Sequence, residues 1–178
     1  MHRRGMHPKE LISAETIARR VGELAKEIDG RVPPGPLTVV GVLRGAFVFM
    51  SDLVRHIPRQ MTCDFLGVRS YGDATVSSGV VEITSDLASP IEGRHVLLIE
   101  DIADTGLTLK YLQDLLRARK PATLHTCVLM AKPTLPSSIT VDFVGFEAPN
   151  AFVVGYGLDA AQLYRNLPYI GSIETTKA

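Results

Sequence analysis

A chain of 178 residues with 46% apolar and 21% charged residues has the composition of a folded domain and excludes a disordered or fibrous protein. Its 19 basic and 19 acidic residues cancel, which argues against charge-driven binding to nucleic acid or a membrane surface. No apolar run approaches the ~20 residues that cross a bilayer, and the basic start Met1-His2-Arg3-Arg4 leads into no apolar segment of a secretory signal. Cys63 and Cys127 both lie in apolar, strand-like runs and read as buried free thiols of a cytoplasmic protein. The histidines are scattered, without the paired spacing of a structural zinc site.

Ser13 has the residue type of a helix N-cap, with Glu15 favourably placed in the first turn. Ile17, Val21, Leu24 and Ile28 follow at helical spacing, and Asp29-Gly30 marks the expected helix end. Pro33-Pro34-Gly35-Pro36 reads as a rigid connector. Leu37 to Leu43 is expected to be a buried strand, Ala46 to His56 a buried helix, and Met61 to Val68 a second strand. Arg69 to Gly79 is rich in Ser, Gly, Thr and Asp. It is expected to be a mobile loop before a strand at Val80–Ile83, and loops of this length are often lids. A strand at His95–Ile99 comes next, then a helix at Leu107–Arg119 with Leu109, Leu112, Leu115 and Leu116 on one face. A strand at Leu124–Met130 follows, and Val141 to Tyr156 carries two β-rich pieces broken by Glu147-Ala148-Pro149-Asn150. Strands alternating with helices predict an α/β fold, a mostly parallel twisted sheet with helices on both faces.

The strand ending at Ile99 runs directly into Glu100-Asp101-Ile102-Ala103-Asp104-Thr105-Gly106-Leu107-Thr108. Carboxylates and hydroxyls at the end of a buried strand do little for stability, but they are placed to hold a polar ligand at the edge of an α/β sheet. Thr105 to Thr108 open a helix, where unpaired N–H groups and the dipole favour an anion and Gly106 permits close approach. This is a phosphate cup, although it lacks the Gly-Lys-Ser/Thr of a P-loop. Glu100 and Asp101 would repel a phosphate and suit sugar hydroxyls or a hydrated divalent cation. Asp104 stands between the two functions, where a general base acts. A ribose 5-phosphate carrying a pyrophosphate has all of these parts. A simpler account makes Asp104 or Thr105 a helix cap, which leaves Glu100 and Asp101 unexplained. Asp104-Thr105-Gly106 is also the tripeptide of aspartic proteases. Those are all-β and need a second aspartate, whereas this tripeptide enters a Leu-rich helix.

Four further segments follow in order: Gly41-Val42-Leu43-Arg44-Gly45-Ala46-Phe47, Ser70-Tyr71-Gly72, Phe152-Val153-Val154-Gly155-Tyr156-Gly157-Leu158-Asp159, and Tyr164-Arg165-Asn166-Leu167-Pro168-Tyr169-Ile170-Gly171. With them, Glu100 to Thr108 resembles the phosphoribosyl-pyrophosphate motif of type I phosphoribosyltransferases, and specifically the hypoxanthine (guanine) phosphoribosyltransferases. The similarity spans roughly Leu11 to Ile173, and several motifs in the correct order are stronger evidence than one. The resemblance implies that family's fold in a single domain over residues 1–178. A small hood over the base site would form from the N-terminal segment and residues 145–175. It implies purine salvage: transfer of the 5-phosphoribosyl group from phosphoribosyl pyrophosphate to N9 of hypoxanthine or guanine, giving IMP or GMP and pyrophosphate.

Carried over residue by residue, the resemblance implies that Glu100 and Asp101 hold the ribose hydroxyls, directly or through magnesium, the implied cofactor. Asp104 would face N7 of the purine and handle its proton, and Thr105, Gly106, Leu107 and Thr108 would bind the 5-phosphate. Leu43, Arg44 and Gly45 would meet the pyrophosphate, with a cis peptide between Leu43 and Arg44, and Arg165 would bind it too. Lys132 would meet the 6-oxo group, Phe152 would stack on the purine, and Val153 would offer backbone groups to its edge. Asp159 would bind a magnesium on the pyrophosphate beside the base. Ser70 and Tyr71 would carry the lid. Plainer accounts stand beside these: a solvated Arg44, a surface Lys132 before Pro133, a core aromatic at Phe152, and a surface ion pair at Arg165.

Two positions depart from many relatives, Ala131 where an aspartate is common and Ala160 where a tyrosine is common, which bears on purine preference and hood packing. The resemblance implies a homodimer or homotetramer with no nucleic-acid or membrane partner. Two other classes remain: a regulator of the same fold that senses phosphoribosyl pyrophosphate, and a xanthine-preferring transferase.

Overall fold

The computed structural model describes residues 8–71 and 80–173. Its elements in chain order are β1 (Lys9–Ile12), α1 (Ala14–Arg31), β2 (Leu37–Leu43), α2 (Phe47–Val54), β3 (Met61–Tyr71), β4 (Val80–Ser85), β5 (His95–Ala103), α3 (Leu107–Arg117), β6 (Thr123–Ala131), β7 (Phe143–Glu147), β8 (Phe152–Val154) and β9 (Ile170–Ile173). Six strands form one sheet in the order β4-β3-β2-β5-β6-β7, parallel except for the β3–β4 pair. The other three make a small antiparallel sheet, β1-β9-β8, which joins the start of the chain to its end.

Strands β2, β5 and β6 read as unbroken apolar runs because both faces of the sheet are covered. Successive side chains point to opposite faces. Val39, Leu97 and Ile99 therefore pack with Ile17, Leu24 and Phe49 of α1 and α2. Their neighbours Val40, Val96 and Leu98 pack with Leu109, Leu112 and Leu116 of α3. The α/β expectation with helices on both faces is met.

Several boundaries differ from those expected. Helix α1 starts as its N-cap predicts, with the Ser13 hydroxyl accepting from the Thr16 N–H at 3.2 Å. It does not stop at Asp29-Gly30 but continues to Arg31, with Val32 N–H donating to Ile28 at 2.9 Å. The Arg59 guanidinium binds the Asp29 carboxylate at 2.7 Å and also the carbonyls of Asp29 and Pro33. It thereby satisfies the helix end that a glycine cap would have served. Helix α2 is shorter than Ala46 to His56, and α3 ends at Arg117. Leu115 lies at the margin of the α3 face, and Gln113 takes the buried position, donating to Thr126 Oγ1 and the Thr140 carbonyl.

Strand β3 runs past Val68 to Tyr71 because it pairs antiparallel with β4, Arg69 opposite Glu82 and Tyr71 opposite Val80. The loop expected from Arg69 therefore starts later; residues 72–79 and the side chains of Ser70 and Tyr71 lie outside the described residues. Strand β5 likewise passes Ile99, its ladder with β6 reaching Ala103 opposite Ala131, so Glu100 and Asp101 are strand residues. Cys127 is buried as expected, but Cys63 is exposed. Cys63 is level with Val39 of β2 but one strand further from the middle of the sheet. No helix among the described residues is long and apolar enough to cross a membrane.

Candidate active site

The chain leaves β2 toward β3 on one side and leaves β5 toward β6 on the other. The carboxyl ends of β2 and β5 therefore flank a topological switch point, where open α/β sheets bind ligands. A crevice of about 410 Å³ opens there, lined from one side by Arg44 and Gly45 and from the other by Glu100, Asp101 and Asp104. Close packing sets its width. A Cβ on Gly45 would overlap the Asp101 carboxylate, so only glycine fits between the two strand ends. The Leu43–Arg44 peptide is cis.

At the floor, Glu100 Oε2 is shut off from solvent and has no hydrogen-bond partner among the described residues. Burial, then the adjacent Asp101 carboxylate, pushes the Glu100 pKa well above the ordinary carboxylate range. Asp101 is also raised by burial, a rise moderated by its hydrogen bond from Ile102 N–H at 2.8 Å and by the positive charge of Arg165. Two crowded acids of this kind suit a divalent cation, whose charge offsets both. Among the described residues no three metal-ligating side chains converge. Asp159 lines the same crevice, its carboxylate tied to Arg165 at 2.7 Å and to Gln162 N–H at 2.8 Å.

Beyond Ala103 the chain emerges from the sheet. Gly106, at φ 78°, is the N-cap of α3 and makes no side-chain capping bond. Neither Asp104 nor Thr105 is the cap: Thr105 Oγ1 only approaches the Leu107 N–H, at 3.5 Å. Thr105, Gly106, Thr108 and Leu109 at the start of α3 line the crevice, while the Leu107 side chain is exposed; an open helix N-terminus in this position is the arrangement of an anion cup. The φ of Gly106 is what favours glycine here, since a Cβ would meet only the movable side-chain ends of Ile139 and Leu135.

A second recess of about 230 Å³ adjoins the first and shares Asp101, Asp104 and Asp159 with it. Lys132, just past β6, reaches across to Asp104 at 2.7 Å. The Phe152 ring is 47% exposed although it belongs to β8, so it is a recess wall and not a core aromatic. Val153 is its buried neighbour.

Arg165 lies between these features. It donates to the Gly157 carbonyl at 2.7 Å and is paired with Asp159. The Gln162 side-chain oxygen accepts from Arg44 at 3.0 Å and approaches Arg165 at 3.3 Å, drawing both guanidiniums to one point. The sequence reading missed Gln162, and no local pattern marks it. It also missed Gly157, which the spaced glycines of Gly155-Tyr156-Gly157 do signal. The φ of Gly157 is 99°, and a Cβ there would overlap the Gly45 carbonyl.

A phosphoribosyl transferase domain model matches residues 8–161. The chain is 50% identical over 167 residues to a hypoxanthine-guanine phosphoribosyltransferase of Bacillus subtilis (strain 168), with 93% of each chain covered. It is 47% identical over 173 residues to one from Aquifex aeolicus (strain VF5), covering 96% of this chain and 97% of that one. The crystal structure of a hypoxanthine-guanine phosphoribosyltransferase from Bacillus anthracis superposes with a TM-score of 0.89 at 42% identity, covering 94% of this chain and all of that one. A crevice at the switch point, an acidic strand end feeding an open helix N-terminus and this likeness along the whole chain agree: the chain belongs to the phosphoribosyl transferase domain family.

Proposed function

We propose that this protein is a purine-salvage transferase. It moves the 5-phosphoribosyl group from phosphoribosyl pyrophosphate to N9 of hypoxanthine or guanine, giving IMP or GMP and releasing pyrophosphate. The observation that carries this reading is the meeting of three chemistries at one switch point. There is an anion cup at Thr105–Thr108, an arginine-rich wall at Arg44 and Arg165, and a base-sized recess with Lys132 and Phe152.

The bond from purine N9 to the anomeric carbon forms as the bond to pyrophosphate breaks, through an oxocarbenium-like transition state. The α3 amides with Thr105, Gly106, Leu107 and Thr108 hold the 5-phosphate. Glu100 and Asp101 take the ribose hydroxyls. The backbone at Leu43, Arg44 and Gly45 and the Arg165 guanidinium hold the departing pyrophosphate, where charge-assisted bonds are strongest. Phe152 stacks on the purine and Val153 offers backbone groups to its edge.

The ion pair between Lys132 and Asp104 is exchanged when the base enters. Lys132 turns to the 6-oxo oxygen, and Asp104 takes the proton from N7. Adenine would set its amino group against the lysine, leaving both unpaired. Magnesium fits the orphaned Glu100 Oε2 and the Asp101 carboxylate crowded against it, with Asp159 a second acceptor at the pyrophosphate side. When bound, it supplies positive charge to the pyrophosphate and ribose oxygens.

In this reading the sheet β1-β9-β8 is the hood over the base. Water would attack the same anomeric carbon, so the loaded site has to exclude it. The protein works in the cytoplasm as a homodimer or homotetramer, on small molecules and not on nucleic acid or membrane. An ultraviolet assay with phosphoribosyl pyrophosphate, magnesium and hypoxanthine, guanine, xanthine or adenine tests it. Turnover of hypoxanthine or guanine and not of adenine is the expected result, and flat traces with all four bases would overturn the reading.

A further inference from the structure

One contact outside the crevice ties its two pyrophosphate-facing walls together. Tyr156 is 5% exposed, and its hydroxyl donates to Asp52 Oδ2 at 2.6 Å. Asp52 lies on α2, which begins two residues after Gly45, and is also paired with Arg55. Burial, then the Asp52 carboxylate, raises the Tyr156 pKa, so the phenol remains a donor. Neither side chain lines the strand-end crevice or the base recess; both line a neighbouring cavity of about 480 Å³.

The backbone around Tyr156 is unusual. Gly155, Tyr156 and Gly157 have φ of 95°, 51° and 99°, three left-handed residues in a row. A bulky side chain is disfavoured at such a residue, so its presence there asks for a side-chain reason. The turn that results grips the 165–167 segment. Gly157 N–H donates to the Arg165 carbonyl at 3.0 Å, Tyr156 N–H donates to the Leu167 carbonyl at 2.9 Å, and the Gly157 carbonyl accepts from the Arg165 guanidinium at 2.7 Å. On its other side the turn presses on Gly45, whose carbonyl occupies the space of a Gly157 Cβ. The contacts form a closed circuit: Gly45, α2, Asp52, Tyr156, Gly157, and Arg165 facing Arg44 across Gln162.

We propose that Tyr156 and Asp52 are positioning residues for the pyrophosphate end of the site: their hydrogen bond fixes the spacing between the Arg44–Gly45 backbone and the Arg165 guanidinium. The inference rests on the transferase reading above. The 5-phosphate cup is built on β5 and α3, and in the base recess Lys132 follows β6 while Phe152 and Val153 are held by the β8–β9 pairing, none of which runs through the Tyr156–Asp52 bond; Leu158 and Asp159 are the recess residues that adjoin the circuit. Loss of the bond therefore loosens the pyrophosphate end more than the other two.

Steady-state kinetics on the full chain test this with wild type, Tyr156→Phe, Asp52→Ala and Asp52→Asn. Tyr156→Phe and Asp52→Ala are expected to raise the KM for phosphoribosyl pyrophosphate and the inhibition constant of pyrophosphate about tenfold, the scale of one hydrogen bond to a charged acceptor, with the hypoxanthine KM within about twofold. Asp52→Asn keeps an oxygen that accepts from the phenol and should stay within about threefold of wild type. A packing role alone would lower thermal stability and shift both KM values together or neither, and that pattern overturns the inference while the transferase reading stands. Equal damage from Asp52→Asn and Asp52→Ala also overturns it. If Tyr156→Phe does not fold, the two Asp52 variants carry the comparison from the partly exposed side of the bond. A wild type that transfers no phosphoribosyl group removes the transferase reading, and the inference falls with it.

Discussion

The floor and the rim of the crevice hold acids of opposite character. On the floor, a Glu100 oxygen is shut off from solvent without a hydrogen-bond partner, beside a second carboxylate. On the rim, the Asp104 side chain is 55% exposed and has a lysine at 2.7 Å. The sheet makes the difference. Glu100 is still a rung of the ladder, opposite Val128 of β6, whereas Asp104 follows the last rung, Ala103 opposite Ala131. A crowded, buried acid gains most from a cation that arrives with the ligand. An exposed acid already paired with a cation can trade that partner for a ligand and take up a proton. One short segment thus carries two acids in different surroundings because the β-ladder stops between them.

The largest effect should come from the rim. Asp104→Asn keeps the shape and removes the basicity, so kcat should fall by about 10²–10⁴, the usual worth of a positioned general base. The KM for phosphoribosyl pyrophosphate should move little. If kcat stays within a few-fold of wild type in a stopped assay, Asp104 is a binding group like those on the floor and the contrast collapses.

The floor makes a different prediction, read without turnover. The Glu100 pKa is raised, so the folded state binds this proton more tightly than the unfolded chain does. That contribution to stability is complete below the ordinary carboxylate value of 4.5 and is lost as pH rises through the higher folded value. In metal-free buffer Glu100→Gln should therefore melt above wild type at pH 8, with the gap closing toward pH 4. Magnesium should raise the melting temperature of wild type and have less effect on the variant, because only wild type has the crowded charge to offset. Melting curves that keep the same gap from pH 4 to pH 8 would show that Glu100 is not strained by its burial.

The same contrast explains what could be read in the sequence. Apolar runs such as Val96–Ile99 announce buried parallel strands, and the halt at Glu100 announces a site, because burying acids needs a reason. Both signals are local. The small sheet is not local: β1 and β9 are four residues each, too short to show a pattern, and they become strands only by pairing across the length of the chain, Lys9 opposite Ser172. Gln162 was invisible for the same reason, since its role lies in two arginines brought together by the fold. The helix end at Arg31 was misplaced because Arg59, distant in sequence, satisfies it. Individual roles at the crevice came from resemblance; the residue chemistry alone reached only a phosphate, a diol and a cation.

A smaller effect is expected at Lys132. Its side chain is 32% exposed, so Lys132→Ala should cost little stability. It should lower discrimination between hypoxanthine and a purine without a 6-substituent about tenfold, as expected for one unpaired polar contact. Parallel kcat/KM measurements with the two bases check this. An unchanged ratio would mean that Lys132 serves only as the ion partner of Asp104.

The smallest effect tests whether the two sheets act independently. Ser13 caps α1 immediately after β1, so it lies at the joint between the small sheet and the helical layer of the large one. Ser13→Ala removes the bond to Thr16 N–H and should cost about 1 kcal/mol, a fall of about 2–4 °C in melting temperature for a chain of this length. The crevice rests on β2, β5 and α3, so the KM for phosphoribosyl pyrophosphate should not change. The recess is walled by Phe152 of β8, which pairs with β9 and through it with β1. A rise in the hypoxanthine KM alone would therefore mean that fraying at Ser13 travels through the small sheet to the base. The rim would then depend on a joint that leaves the floor untouched.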